Sequence, residues 1–166
     1  MASILNVDKI RATGSTTDGL IVDSSGHVTR PQLIAFQAQK NDITASGGEY
    51  STTGNITFNY TLLSHSAWNG TTFTAPVAGK YRFTVNGHKQ STASSSAIEL
   101  TILKGGSAVL AFYSLGAVSD RPRVHGEVIV DLAVNDTITF SLTIGDVFAG
   151  GANGGSGVSC SGLFLG

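Results

Sequence analysis

Apolar side chains at every second position constrain this chain more than any other feature. Only a pleated strand, whose successive side chains point to opposite faces, turns that spacing into one buried face and one wet face. Tyr81, Phe83 and Val85 alternate with Arg82, Thr84 and Asn86. Ile138, Phe140, Leu142 and Ile144 alternate with Thr139, Ser141 and Thr143. Ile98, Leu100 and Ile102 alternate with Glu99, Thr101 and Leu103, and Val124, Val128, Val130 and Leu132 with His125, Glu127, Ile129 and Asp131. Ile56, Phe58 and Tyr60 repeat the pattern against Thr57 and Asn59.

The breaks between these runs have turn chemistry. Lys104-Gly105-Gly106-Ser107 reads as a tight hairpin, because glycine enters positive φ at little steric cost. Asn135-Asp136 reads as a second short connection, with side chains that tolerate left-handed backbone. Pro76 cannot donate to a central ladder, so Ala75–Gly79 is a loop leading into the Tyr81 strand. The chain holds 21 glycines and 3 prolines, and it favours Thr, Ser and Val over the best helix formers. Roughly eight to ten strands at this spacing predict an all-β antiparallel sandwich or jelly roll.

Two stretches differ from the rest. Residues 1–30 carry two apolar clusters, Ile4, Leu5, Val7 and Ile10 in one and Leu20, Ile21 and Val22 in the other; the second leads through Asp23–Gly26 into a small hairpin. Such a hairpin is marginal alone in water, so this arm needs a neighbour. Arg30-Pro31 is the expected boundary, with a head domain over 31–166. Ala149–Gly157 is glycine-rich and nearly free of side chains, which suits an exposed loop.

Ten Lys+Arg against eleven Asp+Glu give a net charge of −1. That is too weak a field for generic nucleic-acid or anionic-membrane binding. No apolar run approaches the roughly 20 residues of a membrane helix, so no membrane insertion is expected. The first residues lack the basic and apolar segments of a signal peptide, which points to cytoplasmic synthesis. One Cys excludes an internal disulfide; Cys160 sits in an alternating strand and reads as a small buried hydrophobe. The four His have no paired metal-ligand spacing, and no nucleophile elbow is present. No cofactor and no catalysis are expected.

The segment Phe73-Thr74-Ala75-Pro76-Val77-Ala78-Gly79-Lys80-Tyr81-Arg82-Phe83 resembles the signature of complement-type globular heads, members of the tumour-necrosis-factor-like jelly rolls. Ile102–Gly106 is similar to their lysine-containing hairpin. Val128–Leu132 with Asn135-Asp136-Thr137-Ile138 resembles their Leu-x-x-Gly-Asp-x-Val step, with Asn135 in place of glycine. Ser161–Leu165 resembles the closing strand, and the matches together span about residues 33–165. The arm has a second resemblance, to the leader of tailed-phage fibre and appendage proteins. Together these imply a virion protein, assembled in the host cytoplasm, whose arm joins it to other virion proteins.

Leu163 and Leu165 flank Phe164 on the opposite strand face, and Leu103 and Ile129 hold outward positions of amphipathic strands. A strand apolar on both faces needs a second partner. The resemblance implies that this partner is the same chain, three copies about a threefold axis, with Tyr81 and Phe83 of the central strand in the contact as well. The expected function is therefore a non-enzymatic trimeric fibre or appendage whose head contacts the host surface. The alternatives are a capsid decoration trimer and a carbohydrate- or receptor-binding tail tip. Candidate ligand loops carry Trp68 and Asn69, Arg121 and Arg123, and Asn153. Trp68 is read either as a sugar platform or as a packing residue, and the Asp120–Glu127 charge cluster either as a partner contact or as a solvated strand end. Asp131 and Asp136 lack a calcium-loop pattern, so no metal is expected.

Overall fold

The structure is a computed structural model. It describes residues 8–11, 13, 19–30, 33–41, 49–50, 52–89, 97–115, 122–145, 147–148 and 157–166. The chain divides into two compact units, residues 1–33 and 34–166. No helix occurs among the described residues.

The first unit is a three-stranded antiparallel sheet of β1 (Lys9–Ile10), β2 (Leu20–Val22) and β3 (Val28–Thr29), in that order. Asp23 shapes the β2–β3 turn: its Oδ1 accepts from the Ser25 and His27 backbone N–H groups at 2.9 Å, and its Oδ2 lies 3.0 Å from His27 Nδ1. Those hydrogen bonds to His27 hold the Asp23 carboxyl below its usual pKa. Ile10 is exposed and Leu20 and Val22 are half-buried; Ile4, Leu5 and Val7 lie outside the described residues.

The second unit contains β4 (Ala35–Gln39), β5 (Glu49–Tyr50), β6 (Gly54–Asn55), β7 (Tyr60–Leu63), β8 (Thr72–Thr74), β9 (Gly79–His88), β10 (Ala97–Lys104), β11 (Ser107–Leu115), β12 (Arg123–Leu132), β13 (Thr137–Ile144), β14 (Val147–Phe148) and β15 (Ser159–Phe164). One sheet runs β12-β9-β15-β4-β7. The other runs β11-β10-β13, with β6 and β8 both on the far edge of β13, and β5 pairs with β14 apart from them. Every ladder is antiparallel. The chain is an all-β jelly-roll sandwich, as the alternation predicts.

The period-two residues supply the core. Tyr81, Phe83 and Val85 from one sheet meet Ile98, Leu100, Ile102, Ile138, Phe140 and Leu142 from the other, all fully buried. Aromatic rings fill the centre, with Phe83 5.4 Å from Phe73 and 6.4 Å from Phe140 between ring centroids. At about 1.5–3 kcal/mol per buried large apolar side chain, these residues dominate the stabilisation of the fold.

The turns follow their residues. Gly105 and Gly106 both take positive φ, 55° and 84°, the type I′ geometry whose twist matches a hairpin. Asn135 stands at φ 69° where the complement-type pattern that the segment resembles has glycine, a position its short polar side chain tolerates. The loop before β9 is fastened to that turn by Ala75 N to Asp136 O and Asn135 N to Ala75 O, both 2.8 Å.

One alternating run is not a single strand. Ile56 and Phe58 are buried, but residues 56–59 lie between β6 in one sheet and β7 in the other, and Tyr60 is exposed. The chain passes from sheet to sheet here, held by single hydrogen bonds from Ile56 N to Phe140 O at 2.8 Å and from Phe58 N to Gly70 O at 2.7 Å, and both apolar side chains plug the sandwich. Alternation reports burial, and at a crossover burial does not require one continuous strand.

Candidate oligomer interface and polar cleft

Two of the residues expected at an interface belong to the interior. Tyr81 and Phe83 project between the sheets and have no accessible surface. The Tyr81 hydroxyl donates to Val77 O at 2.7 Å, which ties the strand to the loop before it. The correction follows from the pleat: a residue on the core face of β9 is covered by its own chain before another can reach it.

Ile129, Leu163 and Leu165 do lie outward. Ile129 is 57% exposed on the outer face of β12, across from Arg82, which also pairs with Leu163 on the other side. Leu163 is half-buried, and Leu165 is exposed just past the end of β15. Around them the face is polar. Lys80 Nζ lies 2.8 Å from both Asp131 oxygens, and the Thr84 and Ser161 hydroxyls are 2.7 Å apart. Leu103 is on the outer face of the opposite sheet, half-buried between Ala108 and Thr139. One flat contact therefore cannot include Leu103 together with Ile129 and Leu163.

The larger apolar surface lies at two edge strands. On β11, Val109, Leu110, Tyr113 and Leu115 are exposed, Tyr113 by 54% and Leu115 by 67%; on β7, Tyr60, Leu62 and Leu63 are each about half exposed. Sheet order puts β11 beside β12 at one end of the sandwich and β7 at the other. The signal for β11 is in the sequence: Ala108, Leu110 and Phe112 occupy one register and Val109, Ala111, Tyr113 and Leu115 the other, so neither face is polar.

The expected ligand loops separate. Trp68 is 6% exposed and stacks on Phe36 at 4.3 Å with ring planes 6° apart, so it is a core residue and offers no sugar platform. Its neighbour Asn69 is exposed but occupied, because its Oδ1 accepts from the Thr71 and Thr72 N–H groups at 3.0 and 2.8 Å. Arg121 and Asn153 lie outside the described residues, as do most of Ala149–Gly157. Arg123 is exposed and contributes to a polar cleft of about 290 Å³ lined by Asn86, Gly87, His88, Arg123, Val124, His125, Gly157 and Ser159. Antiparallel register builds it: Asn86 sits between His125 on β12 and Ser159 on β15, and His88 lies across from Arg123. His125 Nδ1 hydrogen-bonds Asn86 Oδ1.

Little else offers chemistry. Cys160 is 2% exposed, and burial pushes its thiol well above the ordinary pKa, with a weaker opposing hydrogen bond from the Ala38 backbone. A thiol so placed stays protonated and is a poor nucleophile. Among the described residues no group of three His, Cys, Asp or Glu could hold a metal ion. Asp131 and Asp136 instead hold lysines: Lys80 binds Asp131, and Lys104 Nζ lies 2.8 Å from Asp136 Oδ2 and 2.9 Å from Asp131 O.

No protein-family model matches the chain, and no curated protein matches its sequence. Solved structures do match its fold. The globular domain of zebrafish complement 1qA protein superposes with a TM-score of 0.60 at 17% identity, over 80% of this chain and 97% of that one. Eiger TNF from S. frugiperda gives a TM-score of 0.60 at 12% identity, over 81% and 93%. Murine APRIL gives 0.55 at 10% identity, over 79% and 98%. At these identities the likeness concerns architecture: the chain has the jelly-roll fold of complement-type and TNF-like heads.

Proposed function

We propose that the chain is a non-enzymatic structural protein of a tailed-phage virion, a homotrimer whose head is the jelly roll and whose first unit joins it to the particle. The observation that carries the oligomer is the apolar edge strand β11, with Tyr113 and Leu115 more than half exposed. An exposed apolar edge is an invitation to association, and natural sheets normally blunt it with charge or proline. β11 carries neither.

Two dissimilar patches at opposite ends of one sandwich favour a head-to-tail contact, which closes into a ring when the rotation permits. The β11 edge of one copy then meets β7 and the Leu163 side of the next. Threefold closure is supported by the resemblance to complement-type heads, and the virion by the resemblance of the arm to phage leaders.

Sedimentation of the full chain, alone and with Tyr113→Glu and Leu115→Glu together, tests the assembly. A trimer that the paired substitution converts to monomers is expected; a monomer at every concentration of the parent would sink it. Copy number in purified particles tests the placement. A few copies at the tail fit an appendage, hundreds on the shell fit a decoration protein, and none excludes the virion.

A further inference from the structure

We propose that the cleft at the His88 end of β9 binds an acidic sugar unit, a pyranose ring bearing a carboxylate, of a surface polysaccharide. The inference goes beyond the trimer and virion readings and depends on neither. Its described lining comes from one subunit, and none of those residues belongs to β7 or β11.

The lining states the chemistry. Arg123 brings a permanent charge whose planar fork matches a carboxylate in bidentate fashion. Among the described residues no Asp or Glu lines the cleft. Glu127, the next carboxylate along the outward face of β12, lies 4.0 Å from Arg82 and is directed to that partner. A carboxylate at Arg123 thus meets no opposing charge from the described residues of the cleft wall.

The other groups call for hydroxyls. Asn86 Oδ1 accepts from His125 Nδ1, which leaves the ring's Nε2 to meet a ligand hydroxyl. The Asn86 amide and the Ser159 hydroxyl, in register on the next two strands, add donors within a few Å. A bare phosphate has no hydroxyl array to offer this mixture of donors and acceptors, whereas a sugar acid carries both a carboxylate and hydroxyls. Among the described lining residues Val124 is the one large apolar side chain, too little for a hydrophobic peptide anchor. The volume, about 290 Å³, is at the small end of ligand sites and suits one monosaccharide.

The test is titration of the full isotope-labelled chain with sodium glucuronate, glucose and inorganic phosphate, followed by NMR at the His125 and Asn86 side chains. Saturable shifts with glucuronate are expected, with glucose and phosphate each at least tenfold weaker. Arg123→Met should weaken glucuronate tenfold or more. Arg82→Met, on the same face beside Glu127, should leave binding unchanged. Arg123 is exposed at the start of its strand, and an unchanged melting temperature would verify that its variant folds. Equal binding of glucose or of phosphate, retention of binding in Arg123→Met, or an equal loss in Arg82→Met would each overturn the assignment.

Discussion

The Phe112 ring occupies the space that a side chain on Gly126 would need: a Cβ there would lie 2.1 Å from the ring. The contact joins β11 of one sheet to β12 of the other and closes that end of the sandwich over the buried residues. It also explains the gap in the β12 alternation, where Gly126 stands in the core register between Val124 and Val128.

Gly126→Val should therefore destabilise the head despite valine's preference for strands. Overpacking of this kind costs about 1–3 kcal/mol. Phe112→Ala in the same chain should recover part of the loss, since the two changes relieve one clash. Denaturant midpoints of the four proteins of the cycle measure the coupling, and purely additive effects would refute the contact.

Trp68→Ala should cost about 3–5 kcal/mol, the range for deleting a buried large aromatic. The indole packs on Phe36, Phe58 and Phe140. Trp68→Phe should cost less, because it keeps a ring against Phe36 and removes an indole N–H that has no hydrogen-bond partner. As the sole tryptophan, Trp68 should emit in the blue and resist iodide quenching until the protein unfolds. Emission that shifts with added sugars would contradict its place in the core.

The pH dependence of stability should include Asp136. The hydrogen bond from Lys104 holds its carboxyl below the ordinary value, with a smaller contribution from the Ala133 N–H. A carboxyl with a lowered folded-state pKa contributes stability that is full above the unfolded value, near pH 4, and lost as pH falls through the folded value. Asp136→Asn should be less stable than the parent at pH 7, and the difference should shrink by pH 2–3. Urea midpoints at the two pH values would show it; an equal gap at both would exclude the carboxylate charge as the cause.

Cys160 should resist a thiol reagent in the native state and react at once in denaturant, because the chain covers it and burial keeps it protonated. Fast labelling of folded protein would show that β15 opens readily.

Much of the head is legible in the residues one after another. Ile98, Leu100 and Ile102, or Ile138, Phe140 and Leu142, are buried because a two-residue period can sort side chains in only one way on a pleated strand. Gly105-Gly106 and Asn135 make turns because few other residues enter positive φ cheaply. These properties depend on near neighbours in the chain. Which surfaces remain uncovered depends on distant ones. Tyr81 and Ile129 are both apolar strand residues, yet one is sealed by the opposite sheet and the other faces water, and only the stacking of two sheets separates them. Trp68, in a polar stretch, is buried because Phe36 arrives beside it from a remote strand. The cleft takes Asn86, Arg123, His125 and Ser159 from three strands far apart in the chain, set side by side by the hydrogen-bond register between β9, β12 and β15. Local chemistry determined the strands and turns; tertiary pairing decided which side chains meet, because that rests on long-range register that no short window of sequence contains.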